Sequence, residues 1–301
     1  MNFGKRTPAA ESERIVRRAI ERGIRWFDTA NAYSGGESER ILGRALGRDR
    51  GSVTLASKVG AGLVGGSPEG LSCAAIAKAI TGSLQRLGTD FVDVYYLHIP
   101  DHVTPIEESL DAMLELVGAG MARTWGVSNY ASWQILEMSV YGAPRGLPPP
   151  AASQVLFNVL HRQLEIEYFA FARRSGIHTT VYNPLAGGLL AGKYRYGDAP
   201  ATGSRFDGNA MYKGRYWTRS MFERVEEVRA IADAEGLTMV QLAYAWVASS
   251  TDVDSILVGP ATVQQLDDAI DATARTLSAG TLSRIRELGR AWSGTDTNYV
   301  R

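Results

Sequence analysis

An α/β fold, a (β/α)8 TIM barrel whose first strand is incomplete at the N-terminus, is predicted by three features of this 301-residue chain. Short β-rich runs alternate with helical patterns almost end to end, the cadence of parallel strands joined by crossover helices. The runs number seven and are apolar on both faces, as strands between a packed interior and an outer helix layer must be. Only MNFG precedes the first helical pattern, which leaves one strand short or missing. With 45% hydrophobic residues the chain can bury its core as a single domain over 1–301.

Taken in order, IRWFD (24–28) reads as the first strand, followed by a Gly-rich turn and a helix over 37–46 with Ile41, Leu42, Ala45 and Leu46 on one face. VTLASK (53–58) is a strand, and AIAKAITGSLQRLG (75–88) a helix closed by Gly88, the residue a left-handed cap prefers. FVDVYYLH (91–98) and TWGVS (124–128) are strands flanking the helix PIEESLDAMLELVGAG (105–120). GLPPP (146–150) is a loop, SQVLFN (153–158) a strand, EYFAFARRSG (167–176) a helix and TTVYN (179–183) a strand. Residues 184–218 form a loop rich in Gly, Tyr and Arg, too long for a plain connection. SILVG (255–259) is the last strand.

Bulk properties exclude several functions. Basic and acidic residues total 32 each, so the net charge gives no reason to expect a nucleic acid or a membrane surface as partner. The single cysteine, Cys73, cannot form an internal disulfide. No apolar run approaches the ~18 residues of a membrane span. The expectation is a cytoplasmic protein acting on a small molecule.

Four strands end on polar groups: Asp28, Lys58, His98, and Ser128 followed by Asn129; Tyr33 joins them from the turn in FDTANAYSGGESE (27–39). Each has a structural reading. Asp28 could form a turn, Tyr33 could pack, Lys58 could be a solvated charge and His98 a satisfied core histidine. In a barrel, however, all these strand ends meet on one face. Together they suit carbonyl reduction, which needs a proton for the oxygen as hydride reaches the carbon. A tyrosine, with an ordinary pKa of about 10, serves as that acid when a nearby cation lowers it. Lys58 can supply the cation, Asp28 can hold it, and His98 can orient the substrate oxygen.

FDTANAY, LASK, YYLH, GVSN and SQVLFN, in this order, resemble the aldo-keto reductase superfamily over nearly the whole chain. YLHIPDHVTPIEESL (96–110), YNPLAGGLLAGKYRYGD (182–198), RYW (215–217) and NYVR (298–301) resemble the branch of aflatoxin aldehyde reductases, which also reduce succinic semialdehyde. The resemblance implies a catalytic tetrad of Asp28, Tyr33, Lys58 and His98, and an extended NADPH. Ser128, Asn129 and Gln154 would hold its carboxamide and Tyr182 would stack on the nicotinamide. Asn183, Pro184, Leu185, Gly187, Gly188, Leu190 and Lys193 would line the pyrophosphate, with Arg205 over it. Gly259, Gln265 and Asp268 would meet the adenosine end. His98, Tyr212, Arg215 and Arg301 would contact substrate, and two arginines would suit a carboxylate-bearing aldehyde. A homodimer is implied by the branch. Ala261 stands where the family often has a serine near the 2′-phosphate, and Ala269 where an asparagine is usual, so NADH is the alternative cofactor.

Two motifs read as decoys. GAGLVG (60–65) fits the G-x-G-x-x-G pattern, but Gly66, Ser67 and Pro68 follow instead of a helix, so it is expected to be an active-site loop. HIPDH (98–102) has half a metal site without further ligands nearby, and no metal is expected. His161 and His178 are expected to be structural. The leading reading is an NAD(P)H-dependent reductase of small aldehydes or ketones. Its alternatives are a pathway-dedicated ketoreductase on a sugar or polyketide carbonyl, and a slow-turnover cofactor-binding regulatory subunit, for which an intact tetrad would be superfluous. A phosphate-binding barrel isomerase would need a Gly-rich phosphate site at the last two strand ends, which here match a nucleotide clamp.

Overall fold

Extended runs that are apolar on both faces gain most by lying side by side under helices, and the computed structural model, which describes residues 1–294, has this arrangement. In chain order the elements are α1 (Ala9–Glu21), β1 (Trp26–Asp28), α2 (Glu37–Leu46), β2 (Thr54–Val59), the short pair β3 (Leu63–Val64) and β4 (Ser67–Pro68), α3 (Cys73–Leu87), β5 (Val92–Leu97), α4 (Ile106–Gly118), β6 (Ala122–Ser128), α5 (Ser132–Gly142) and β7 (Ala152–Leu156). There follow α6 (Tyr168–Ser175), β8 (His178–Tyr182), α7 (Ala210–Tyr216), α8 (Arg219–Ala234), α9 (Met239–Ala248), β9 (Ser255–Ile256), α10 (Val263–Thr273) and α11 (Ala279–Ser293). The chain forms two compact units: Met1–Val155, Ala172–Thr179 and Gly259–Leu266 make the first. Leu156–Phe171, Thr180–Val258 and the described residues from Asp267 make the second.

In the first unit the parallel strands run β1-β2-β5-β6-β7, each bonded to the next. Their register sets Asp28 against Ala56, Lys58 against Tyr96 and Ser128 against Gln154. The start of β8 joins this unit through the His178 N–H, which donates to the Ala151 carbonyl at 3.1 Å. Leu55, Val92, Tyr95, Leu97, Trp125 and Val127 are fully buried along the strands. α3 begins at a Ser72 cap that accepts from the Ala75 N–H, two residues earlier than the sequence pattern suggests, and ends on left-handed Gly88, the closing glycine the sequence predicts. Among the described residues no strand of this sheet precedes α1. Residues 2–7 instead form a turn with an isolated Phe3–Thr7 bridge. The Asn2 amide donates to the Gly259 carbonyl at 2.8 Å and the Thr7 hydroxyl to the Ala261 carbonyl at 3.3 Å.

In the second unit β8 and β9 pair in parallel, Thr180 opposite Ser255 and Val181 opposite Ile256. The Phe157 N–H donates to the Tyr182 carbonyl at 3.3 Å. The last strand is shorter than SILVG suggests. After Leu257 donates to Val181 at 2.8 Å, the chain turns away toward Gly259 and Pro260. The long loop is ordered by aromatic packing rather than by a strand or long helix. Buried Phe206 stacks edge-on or tilted against Tyr194, Tyr212, Tyr216 and Trp217, and α7 forms within it.

Candidate active site

β2 alternates its faces, and on the inward one it carries Lys58, a lysine with no exposed surface. Such a charge persists only if paired. The Lys58 ammonium is in direct contact with Asp28 Oδ1 and donates to the Thr29 carbonyl at 2.8 Å. Burial lowers the Lys58 pKa from its ordinary value, and the Asp28 carboxylate opposes that shift. The other Asp28 oxygen accepts from the Gln154 amide at 2.9 Å. Lys58 Nζ lies 5.2 Å from the centre of the Tyr33 ring and 5.8 Å from that of Tyr96.

The turn after β1 delivers Tyr33 to this cation. The Asn31 N–H bonds the Lys58 carbonyl at 3.2 Å, which fastens the turn to β2. Ser34, Gly35 and Gly36 then all take left-handed φ, a run that explains the Gly-Gly pair. The Ser34 hydroxyl secures its own unfavourable conformation by donating to the Phe3 carbonyl at 2.8 Å. Tyr33 OH reaches His98 Nε2 at 3.5 Å, with the rings edge to face at 5.6 Å.

His98 is neutral at ordinary pH, because burial first and the Lys58 cation second push its pKa down to about 3. Its Nδ1 is buried with no partner among the described residues. A bare N–H is rarer inside proteins than a bare acceptor. The proton is therefore assigned to Nε2, leaving His98 a donor toward the Tyr33 side of the site. Beside it, left-handed Asn129 donates its side-chain amide to the His98 carbonyl at 2.9 Å and to Ser128 Oγ at 3.0 Å. Its own N–H goes to the Gln154 carbonyl at 3.1 Å. Ser128 and Gln154 are buried here, so the structure gathers Asp28, Tyr33, Lys58, His98, Ser128, Asn129 and Gln154 at neighbouring strand ends of one unit. In the same unit Gln265 accepts from the Ala261 N–H at 2.9 Å, and Gly259 is held by Asn2.

The second unit gathers the other expected residues. Burial raises the Tyr182 pKa, while the cation and hydrogen bond of Arg215 pull it back. Left-handed Asn183 donates to the hydroxyls of Tyr212 and Tyr216, each at 3.3 Å. Tyr212 is thus buried and bonded rather than splayed outward, with the Arg205 and Arg215 guanidiniums 5.5 and 6.0 Å from its ring centre. After Pro184 and Leu185 come left-handed Ala186, Gly187 and Gly188, then buried Leu190. A Cβ on Gly187 would meet the Tyr212 ring at 2.8 Å, whereas the Cβ direction of Gly188 is open. Lys193 lies 5.3 Å from the Tyr194 ring. Ala269 is buried in the second unit with Tyr244 and Ala272, against which Leu185 packs. Asp268 is on α10, and Arg301 lies outside the described residues.

Three carboxylates proved to have roles that sequence reasoning missed. Glu39, fully buried, takes the Ser57 hydroxyl at 2.5 Å and Arg86 Nε at 2.6 Å. Glu69 takes the Asn31 amide at 2.6 Å and the Gly60 N–H at 2.8 Å. Asp101 of HIPDH takes the Leu71 and Val103 N–H groups and the Thr104 hydroxyl, so it staples loops. Among the described residues no group of three or more His, Cys, Asp or Glu could hold a metal. His178 stacks on Trp26 and His161 packs edge-on against Tyr216.

A phenol beside a buried ammonium and a neutral histidine donor is equipment for delivering a proton to a carbonyl oxygen. Within the first unit, the buried side-chain amide of Gln154 and hydroxyl of Ser128 have the chemistry that a nicotinamide carboxamide would need. The profile of the Aldo/keto reductase family matches residues 1–290, and the chain belongs to that family. It is 34% identical over 287 residues to human aflatoxin B1 aldehyde reductase member 2, covering 91% of this chain and 80% of the relative. Human aldo-keto reductase family 7 member A3 is 34% identical over 286 residues, 90% of this chain and 86% of that one. A probable voltage-gated potassium channel subunit beta of Arabidopsis thaliana is also 34% identical, over 278 residues, 90% of this chain and 84% of its own length. The protein is accordingly a (β/α)8-barrel oxidoreductase that uses a nicotinamide cofactor to reduce small carbonyl compounds.

Proposed function

We propose that this chain reduces a small aldehyde or ketone to the alcohol with NADPH, Tyr33 giving the proton. The observation that carries the reading is the meeting of Tyr33 OH with His98 Nε2 over the Lys58–Asp28 pair. A reduced nicotinamide, when bound, supplies hydride to the carbonyl carbon. Asp28 and Gln154 keep the lysine fixed; its charge favours the phenolate that Tyr33 becomes after proton release. Neutral His98 donates to the substrate oxygen and sets its angle to Tyr33.

Ser128, Asn129 and Gln154 hold the carboxamide in this reading, and Tyr182 stacks on the ring. The segment Asn183 to Lys193 and Arg205 hold the phosphates, while Gly259, Gln265 and Asp268 hold the adenosine. Ala261 and Ala269 leave NADH as the alternative. Tyr212, Arg215 and Arg301 are assigned to the substrate in this reading, and the two arginines favour one with a carboxylate. A single barrel domain over 1–301, a homodimer and a cytoplasmic setting belong to the same reading. The potassium channel beta relative supports a second one, a cofactor-binding regulatory subunit with slow turnover.

The test is oxidation of NADPH and NADH by the purified protein with succinic semialdehyde, a nitrobenzaldehyde and an uncharged aliphatic aldehyde, with the alcohol product identified. Turnover strongest on the carboxylated aldehyde is expected. Tight cofactor binding without turnover of any aldehyde would instead favour the regulatory subunit.

A further inference from the structure

We propose that the hairpin between Gly60 and Gly70 is a substrate-specificity arm, offering Leu63 and Val64 to the apolar part of the carbonyl substrate. The inference rests on the reductase reading and sharpens its substrate class. The substrate would be an aldehyde or ketone carrying an alkyl or aryl group, whether or not its far end bears a carboxylate.

Position comes first. The arm leaves β2 two residues after Lys58, its two limbs are tied together through Glu69, and its closing end is fastened to the loops that carry the other catalytic groups. On the outgoing limb, Gly60 and Gly62 donate to Glu69 Oε2 at 2.8 and 3.3 Å. Glu69 Oε1 takes the side chain of Asn31, in the turn that holds Tyr33, at 2.6 Å. On the return limb, the Leu71 N–H goes to Asp101 at 2.8 Å, in the loop that begins at His98. The arm therefore spans from the Tyr33 turn to the His98 loop.

The sequence is built for this shape. Gly65 and Gly66 both have left-handed φ, 60° and 87°, as the two-residue loop between β3 and β4 requires. At the base, a Cβ on Gly60 would come within 2.6 Å of the Leu71 side chain. A plain strand-to-helix connection needs only about 2–6 residues and no hairpin.

What the arm shows to a ligand is apolar. GAGLVGGSP (60–68) has no charge, and the carboxylates flanking it are engaged by backbone N–H groups and the Asn31 side chain. Leu63 and Val64 are 73% and 54% exposed, and Val103 of the His98 loop is 91% exposed. Exposed apolar groups on adjoining loops beside a reaction centre mark a binding surface.

The experiment compares kcat/KM along the straight-chain aldehydes from propanal to octanal, for the wild-type protein and Leu63→Ser/Val64→Ser. Burying each methylene against the arm raises kcat/KM by up to about fourfold. The wild type is expected to gain with each added carbon until the arm is spanned, and the double variant to show a much flatter profile. Neighbours on a strand point to opposite faces, so one of the two single variants should carry most of the loss. Both side chains are exposed, so these changes spare the core; circular dichroism verifies the fold, and Val103→Ser provides a second variant from the His98 loop. A wild-type profile with no dependence on length, or parallel profiles in wild type and double variant, overturns the arm and leaves the reductase standing. No turnover of any aldehyde by either protein overturns both.

Discussion

Two buried carboxylates of the first unit are paired with cations on opposite faces of the same strand, Asp28 with a fully buried lysine and Glu39 with a partly exposed arginine. Ser57 and Lys58 are neighbours on β2, so their side chains diverge. Ser57 turns to Glu39, which Arg86 of α3 closes from the other side. Every oxygen of that carboxylate is engaged in joining α2, β2 and α3. Lys58 turns to Asp28 and keeps two unlike neighbours, a phenol and a histidine whose Nδ1 has no partner among the described residues. A buried ion pair alone does not mark a reaction centre. What separates the two is that Lys58 also adjoins a phenol and a histidine whose Nδ1 has no partner among the described residues, whereas the Glu39 oxygens only join elements of the fold.

Removing one partner from each pair breaks or sharpens that contrast. Lys58→Met should lower kcat by about 10³-fold and, by stranding the buried Asp28, destabilise the protein by about 3–5 kcal/mol. Glu39→Gln should cost about as much stability while kcat, measured at a temperature where the variant is folded, stays within a few fold of wild type. Urea unfolding and steady-state kinetics on both variants check this; loss of turnover in folded Glu39→Gln would erase the distinction.

A smaller effect comes from two half-buried histidines. His98 has a folded value of about 3 and His161 of about 4, both below the ordinary 6.5. As pH falls through 6.5 the unfolded chain takes up protons that the folded chain refuses, so stability is full above 6.5 and declines on the way to these lower values. His161→Gln should therefore lose less stability than wild type between pH 7 and 5, and an equal loss in urea midpoints would count against a neutral His161. Since His98 does not titrate between pH 5 and 8, it should contribute no inflection to kcat there.

The smallest expected effect is that of Asn31→Ala. It cuts the arm from the Tyr33 turn without touching the Lys58 pair, and should raise KM for a long aldehyde severalfold with little change in kcat. A reversed pattern, kcat down and KM constant, would tie Asn31 to the chemistry itself.

The strands were legible in the sequence because apolar residues on both faces leave few other uses for a run such as FVDVYYLH. The polar ends Asp28, Lys58 and His98 stood out against those runs, and Tyr33 against its glycines. Partner choice was not legible: nothing local says that Glu39 goes to Ser57 and Arg86, or that Glu69 reaches back to Asn31, because those contacts depend on how elements pack. GAGLVG shows the same limit. Its glycines serve a hairpin turn and a tight base, requirements that resemble those of a phosphate loop until the following residues are seen to start no helix. The strand SILVG is shorter than its pattern, and just beyond it the Gly259 carbonyl accepts from the Asn2 amide, a contact 257 residues away in sequence that no local pattern shows.

The central claim is that Tyr33 delivers the proton from a site whose cation and histidine are already in place. The direct measurement is single-turnover reduction of an aldehyde by Tyr33→Phe, with cofactor affinity measured on the same sample by fluorescence titration. Cofactor binding close to wild type and a chemical step slower by at least about 10²-fold are expected. A chemical step at the wild-type rate, with cofactor bound equally well, would contradict it.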